Sequence, residues 1–181
     1  MNNKIMNFKS IIFIFTLIFP LYLNANEYHI YNGSHMKFKH PKDFKVTSEI
    51  DSEGYKEIFI EGPGRTSVFI TITPETGILP LDEFSEQMRN ELKQKYNNYS
   101  FSNQEIKNTS VIIHGEEIHG IIDTYTLKRF FIGYKASFTH YILTTPKHIF
   151  IISNEMRGKF IQDHEIIVSD IISSIEIKDK T

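Results

Sequence analysis

VIIHGEEIHGIIDTY, Val111 to Tyr125, is the stretch on which the fold turns. A β-branched apolar run, Val111–Ile113, and an isoleucine-rich segment beginning at Ile118 flank a short polar break centred on Gly115. β-branched residues pack well on a pleated surface, and a glycine between two such runs supplies the positive φ of a tight turn. The segment reads as two antiparallel strands joined by a polar corner.

The same stretch holds the chain's only compact ligand-like cluster: His114, Glu116, Glu117 and His119. A zinc-binding helix places two histidines four residues apart, on one side. Here the separation is five. On a helix that is about 500° of rotation, so the side chains diverge. On a continuous strand an odd separation puts them on opposite faces. A turn at Gly115 is the one route by which His114 and Glu117 meet across a hairpin. The spacing thus predicts no metal site, and these four residues are the metal candidates if the turn gathers them. Along the second strand, Ile118, Gly120 and Ile122 are read as the inward face. Glu117, His119, Ile121, Asp123 and Tyr125 are read as a partly solvated opposite face.

Strand chemistry extends outward in both directions. Upstream, Met36 and Phe38 alternate with Lys37 and Lys39 after an Asn32-Gly33 turn, and Pro41 stops the run. Phe44 and Val46 begin another extended piece. YKEIFIE, Tyr55 to Glu61, meets the Gly62-Pro63-Gly64 turn, and TSVFITIT, Thr66 to Thr73, follows. In that last run Val68, Ile70 and Ile72 share one face. Downstream, the spacing predicts strands at Val111–Ile113, Ile118–Leu127, Phe130–Tyr134, Ala136–Thr145 and His148–Ser153, in sequential hairpins.

Two segments change period. Leu81, Phe84, Met88, Leu92 and Tyr96 recur every three or four residues among polar ones, which predicts an amphipathic helix. Asp82 and Glu83 open it and Lys93 and Lys95 close it, complementing the helix dipole. Its Met and aromatic stripe is read as core rather than as a ligand groove. A second helix is predicted from Lys159 to Ile172, with Ile161, His164, Val168 and Ile171 along its stripe, and Ile175–Ile177 as a short closing strand. An antiparallel sheet with two separated helices is an α+β arrangement.

The N-terminus follows another plan. Lys4 and Lys9 precede an apolar run, Ile11–Phe19, then Pro20 and a small residue at Ala25. That is the three-part plan of a secretory signal peptide, cut after Ala25. The run is about half of the roughly 20 apolar residues that a spanning helix needs. The expectation is residues 1–25 as signal, residues 26–181 as one domain, and no permanent membrane span. The exported chain would be periplasmic or secreted. The chain contains no cysteine, so it has neither disulfides nor the cysteine that a lipoprotein carries its lipid on. Without Lys4 and Lys9 the basic count falls from 20 to 18 against 22 acidic residues, a net charge near −4. No basic face for nucleic acid is evident. With 30 isoleucines, 15 phenylalanines and 9 tyrosines, a hydrophobic core supplies the stability.

The order of these elements resembles the PsbP-like superfamily, which includes PsbP, the Mog-type Ran-binding proteins and the bacterial DcrB-type envelope proteins. The marks are MKFKHPKDF (Met36–Phe44), similar to the family's aromatic-proline-tryptophan opening, then SVFITIT, then the helix introduced by LDEFSEQM (Leu81–Met88). VIIHGEEIHGIIDTY is similar to the family's glycine-centred hairpin, and DIISSIEI (Asp170–Ile177) to its last helix end. Phe44 stands where the family has tryptophan. The resemblance implies a central antiparallel sheet with helices on both faces, an α/β/α sandwich. It also implies proteins that mostly bind or assist other proteins.

Catalytic motifs are few. No GxSxG elbow and no phosphate loop occurs, and Gly62-Pro63-Gly64 lacks the Lys-Ser/Thr of a P-loop. The remaining histidines have no metal-ligand spacing. The reading is an exported, non-enzymatic envelope protein with a protein partner and no cofactor, in an assembly, accessory or immunity role. Two alternatives stand beside it: a metal-dependent or carboxylate-using hydrolase built on the His114–His119 region, and a binder of a small apolar ligand held between sheet and helix.

Overall fold

The computed structural model describes residues 27–52, 55–74 and 79–178. Residues 1–25, read from the sequence as a signal segment, lie outside them. The element order is β1 (Tyr28–Asn32), β2 (Met36–Pro41), β3 (Lys45–Ser52), β4 (Tyr55–Gly62), β5 (Thr66–Pro74), α1 (Leu81–Lys95), β6 (Ser100–Ile113), β7 (Glu116–Arg129), β8 (Ile132–Thr144), β9 (His148–Arg157), α2 (Phe160–Ser173) and β10 (Glu176–Ile177).

Seven strands form one antiparallel sheet in the order β3-β4-β5-β9-β8-β7-β6. Each hairpin neighbour pairs with the next, and β9 returns to lie beside β5. A second, three-stranded sheet has the order β1-β2-β10, so the opening strands do not join the main sheet. The short closing strand holds them instead, through Glu176↔Lys37 and Ile177↔Met36.

The alternation within each strand assigns the two faces. Val68, Ile70 and Ile72 of β5, with Phe150 and Ile152 of β9, point to α2 and are buried to within 1%. Met36, Phe38 and Ile177 of the small sheet and Val168, Ile171 and Ile172 of α2 complete that core. Phe44, read as the counterpart of the family tryptophan, is fully buried there, and its ring occupies the space that a Cβ on Gly62 would need. His164 sits on the buried stripe of α2 and shares a 2.6 Å hydrogen bond with Thr66. The opposite face carries α1. Its buried cluster is smaller: Tyr125, Leu127, Ala136 and Phe138, with Leu92, Tyr99, Phe101 and Tyr134 packed against it. Helices thus cover both faces of an antiparallel sheet, the α/β/α sandwich expected.

Three expectations on the strands need correction. β6 begins at Ser100, not Val111, because it is an edge strand exposed on both faces over most of its length, so no burial alternation marks it. Phe130–Tyr134 is not a separate strand. Phe130-Phe131 is the turn between β7 and β8, and Gly133 lies inside β8 opposite Lys128. The second face of β7 is partly solvated only at its start: Glu117 and His119 are exposed, whereas Asp123, Tyr125 and Leu127 are buried beneath α1.

Candidate functional site

The hairpin of HGEEIH forms, and it dismantles the cluster. β6 and β7 pair as Ile113↔Glu116, Ile112↔Glu117 and Ser110↔His119, leaving a two-residue turn at His114-Gly115. Glu117 therefore faces Ile112 and not His114. Both turn residues have positive φ, 55° at His114 and 79° at Gly115, the pattern of a type I′ turn. The Nε2 of His114 accepts a 2.7 Å hydrogen bond from the backbone N–H of Ile177. That bond ties the hairpin to β10. Glu116, Glu117 and His119 are exposed. Among the described residues no group of three His, Cys, Asp or Glu is placed to hold a metal ion.

Other histidines meet in pairs that spacing did not foretell. His35 and His148 lie with ring centroids 4.7 Å apart, and His29 and His40 5.7 Å apart. His29 and His40 are register partners across β1 and β2, whereas His35, in the turn before β2, meets His148 of β9 where the two sheets pack together.

Among the described residues clefts open on both faces of the sheet: one of about 340 Å³ between α2 and strands β6–β8, lined by Ile122, Tyr141, Ile161 and Val168 among others, and a larger one between α1 and the sheet. The larger measures about 450 Å³. Phe84, Met88 and Leu92 of α1 form one wall, and Phe69, Phe138 and Ile151 form the other. The helical stripe read as core is real, but its apolar members are only half-buried, because they border this cleft rather than close-pack. Ser85 is the buried residue of α1. On the cleft floor, His140 Nδ1 is 2.8 Å from Ser153 Oγ, and the Phe84 ring stands edge-on to the imidazole at 5.4 Å. Burial pushes the His140 imidazole down to about 4, with Asp123 opposing and Arg89 reinforcing that shift. The ring is therefore neutral at pH 7. Glu57, Glu91, Lys95 and Glu155 ring the mouth. Clefts of roughly 300–1,000 Å³ lined by apolar and aromatic side chains, with a few polar groups, are the ordinary form of a small-molecule site.

Behind the cleft, Arg89 of α1 reaches Asp123 of β7, Nε to Oδ2, at 2.5 Å. Gln104 Nε2 adds donors at 3.2 Å to both carboxylate oxygens. The oxygens of this buried acid are taken by the Arg89 guanidinium, which ties α1 to the sheet, and by the Gln104 amide of the neighbouring strand β6. The acid's signal in the sequence was a lone acid between Ile121 and Tyr125 on a strand face. At the mouth, Arg157 bonds Glu155 and the Tyr96 hydroxyl.

No family model matches the sequence, and no curated protein sequence matches it. Solved structures do. The chain is similar to cyanobacterial PsbP (CyanoP) from Synechocystis sp. PCC 6803, with a TM-score of 0.51 at 9% identity, over 84% of this chain and 93% of that one. It also matches LpqN, involved in cell envelope biogenesis of Mycobacterium tuberculosis, at TM-score 0.48 and 9% identity, over 86% and 94% of the two chains. A protein of unknown function from Pseudomonas aeruginosa matches at TM-score 0.37 and 13% identity, over 81% and 94%. The antiparallel α+β architecture of the described residues, with its two helices, is a PsbP-like fold.

Proposed function

We propose that residues 26–181 act, after export and removal of the signal segment, as one non-enzymatic binding domain of the cell envelope, with the cleft under α1 as its site. The observation that carries this reading is the cleft itself: a helix with a half-buried aromatic and Met stripe held off a sheet face by about 450 Å³ of space. A solvent-open cleft of this size with apolar walls and few polar groups has the ordinary form of a small-molecule site, which supports an occupant. The lining selects its chemistry. The apolar walls take an aromatic or short acyl body. The neutral His140 and Ser153 offer one polar handle, and at the rim Glu155 is paired with Arg157, which leaves Glu57, Glu91 and Lys95 and no cationic cluster to draw a carboxylate, so a neutral head suits it best. Nile red, a neutral apolar dye, is the probe. The protein is expected to bind it with enhanced, blue-shifted emission, and Thr71→Trp, which plugs the cleft from β5, to abolish that signal without lowering the melting temperature. Dye binding indifferent to Thr71→Trp would sink the assignment.

A second reading, a protein partner, rests on the edge of the main sheet. β6 is 14 residues long and among the described residues no strand pairs with its outer side, with Ile106 and Ile112 exposed at 52% and 62%. Such an edge can accept an added strand, although Glu105, Lys107 and the irregular register between Ser102 and Glu105 limit how much of it does. Affinity recovery from native envelopes tests it: failure to recover a reproducible partner counts against it.

A further inference from the structure

The turn between β7 and β8 breaks the rule that its neighbour obeys. Arg129 pairs with Ile132, so Phe130-Phe131 is a two-residue turn. Positive φ falls on its first central residue only, 54° at Phe130, a position where glycine is the default. A bulky side chain there is a local strain. The apolar side chains gain no burial in return: Phe130 is 88% exposed, Phe131 103% and Ile132 73%. Sequences break local rules mainly where function demands it.

The surroundings of this tip are distinctive. Lys128, Arg129 and Lys135 flank it on β7 and β8. Arg65 and Lys159 lie beside Tyr134 at the same end of the sheet. The Arg129 guanidinium sits 5.6 Å over the Tyr99 ring, and Tyr99 contacts Tyr134. Lys45 and Glu61 stand further out, on β3 and β4. A chain of net charge −2 thus concentrates cations and tyrosines around a naked apolar finger. Apolar side chains at the apex, tyrosines behind them and cations around them form the order of chemistries met on entering an anionic bilayer from water. A protein interface instead needs about 800 Å² per partner, far more than three side chains on a convex tip provide.

We infer that the Phe130-Phe131-Ile132 hairpin tip is a membrane-docking finger that inserts into the interface of an anionic lipid bilayer, with Lys128, Arg129 and Lys135 meeting the headgroup phosphates. This goes beyond the cleft reading and does not depend on it. Together they describe a binder held at the membrane surface.

The chain has no tryptophan, so Phe131→Trp installs a single reporter at the tip. The test uses residues 26–181, the form proposed to act after removal of the signal segment, with vesicles of phosphatidylcholine and phosphatidylglycerol at 70:30, and vesicles of phosphatidylcholine alone; the apolar run Ile11–Phe19 would otherwise carry the full chain to lipid by itself. The expected result is a blue shift and protection from a soluble quencher with the anionic vesicles, reversed by high salt. Phe130→Ser with Phe131→Ser should weaken vesicle co-sedimentation by roughly tenfold or more. Lys128→Gln with Lys135→Gln should weaken it several-fold, about fivefold per cation at most. Emission unchanged by either vesicle overturns the inference, as does co-sedimentation indifferent to the double serine variant. A shift produced by envelope proteins but not by lipid reassigns the tip to a protein partner. Tip-dependent dimerisation without lipid reassigns it to a second copy of this chain.

Discussion

The two faces of the main sheet are built to different standards. Under α2, apolar residues of β4, β5, β9, β2 and β10 meet Val168, Ile171 and Ile172, and many are fully buried. Under α1, the buried apolar set is small and the helix stripe is half-exposed. The polar groups that do bury there, Asp123 and His140, are held by Arg89, Gln104 and Ser153. The contrast teaches that the β4-β5-β9 part of the α2 face, with the small sheet, carries the packed core, while the α1 face is fixed at a few polar points and left open between them. Polar pins suit that task, because an ion pair with directional hydrogen bonds holds a helix at a set distance where close packing would draw it in.

The contrast is broken first by truncating one residue on each face. Ile152, fully buried opposite α2, should cost about 4 kcal/mol as Ile152→Ala, through lost burial and the cavity left behind. Leu92, on the cleft wall, should cost about 1 kcal/mol as Leu92→Ala, because water already reaches it. Urea midpoints with slopes held common measure both. Equal costs would mean that α1 seals its face as tightly as α2 does.

The next test uses pH. The folded imidazole of His140 titrates at about 4, against 6.5 for an unperturbed group. Between those values the unfolded chain binds the proton and the folded chain does not, so stability rises with pH. The contribution is full above about 6.5 and is lost as pH falls toward 4, and it amounts to about 3 kcal/mol. Carboxylates titrate in the same window, so the reading is the difference between the native chain and His140→Gln. The variant should show the shallower fall between pH 6.5 and 4.5 in chemical denaturation. Parallel curves would place the imidazole in contact with water and remove it from the cleft floor.

Much of the well-packed face was legible because its elements carry burial as pattern. Val68-Ile70-Ile72 shows its alternation, and Ile161, His164, Val168 and Ile171 show a helical stripe. The open face was less legible for a physical reason. The stripe of α1 has the same period whether it meets a packed core or a cleft; sequence fixes which residues point inward, not how far away the opposing wall stands. β6 was missed over Ser100–Ser110 because an edge strand exposed on both faces need not alternate. HGEEIH was legible as a corner, since Gly115 announces it. Its fate as a cluster was decided by a two-residue register that sends Glu117 opposite Ile112. The Phe130-Phe131 turn had no glycine, proline or asparagine to announce it, and the pair was therefore read as strand.

That missing signal sets up the smallest and most discriminating test, at the two ends of β7. One end turns at His114-Gly115, with a glycine at φ 79° and a hydrogen bond from Ile177 onto His114. The other turns at Phe130-Phe131, with φ 54° on a phenylalanine and its side chain in water. A Cβ on Gly115 meets nothing within 4 Å, so Gly115→Val should act through backbone strain alone and cost about 2 kcal/mol. Phe130→Gly runs the opposite way. It relieves the same strain and removes an exposed ring, and it should stabilise the fold by up to about 1 kcal/mol even after the added freedom of the unfolded chain. Paired denaturation curves read both. A chain that becomes more stable when Phe130 is removed is keeping that residue for something other than stability, whereas a loss on Phe130→Gly would show that the tip is part of how the hairpin holds together.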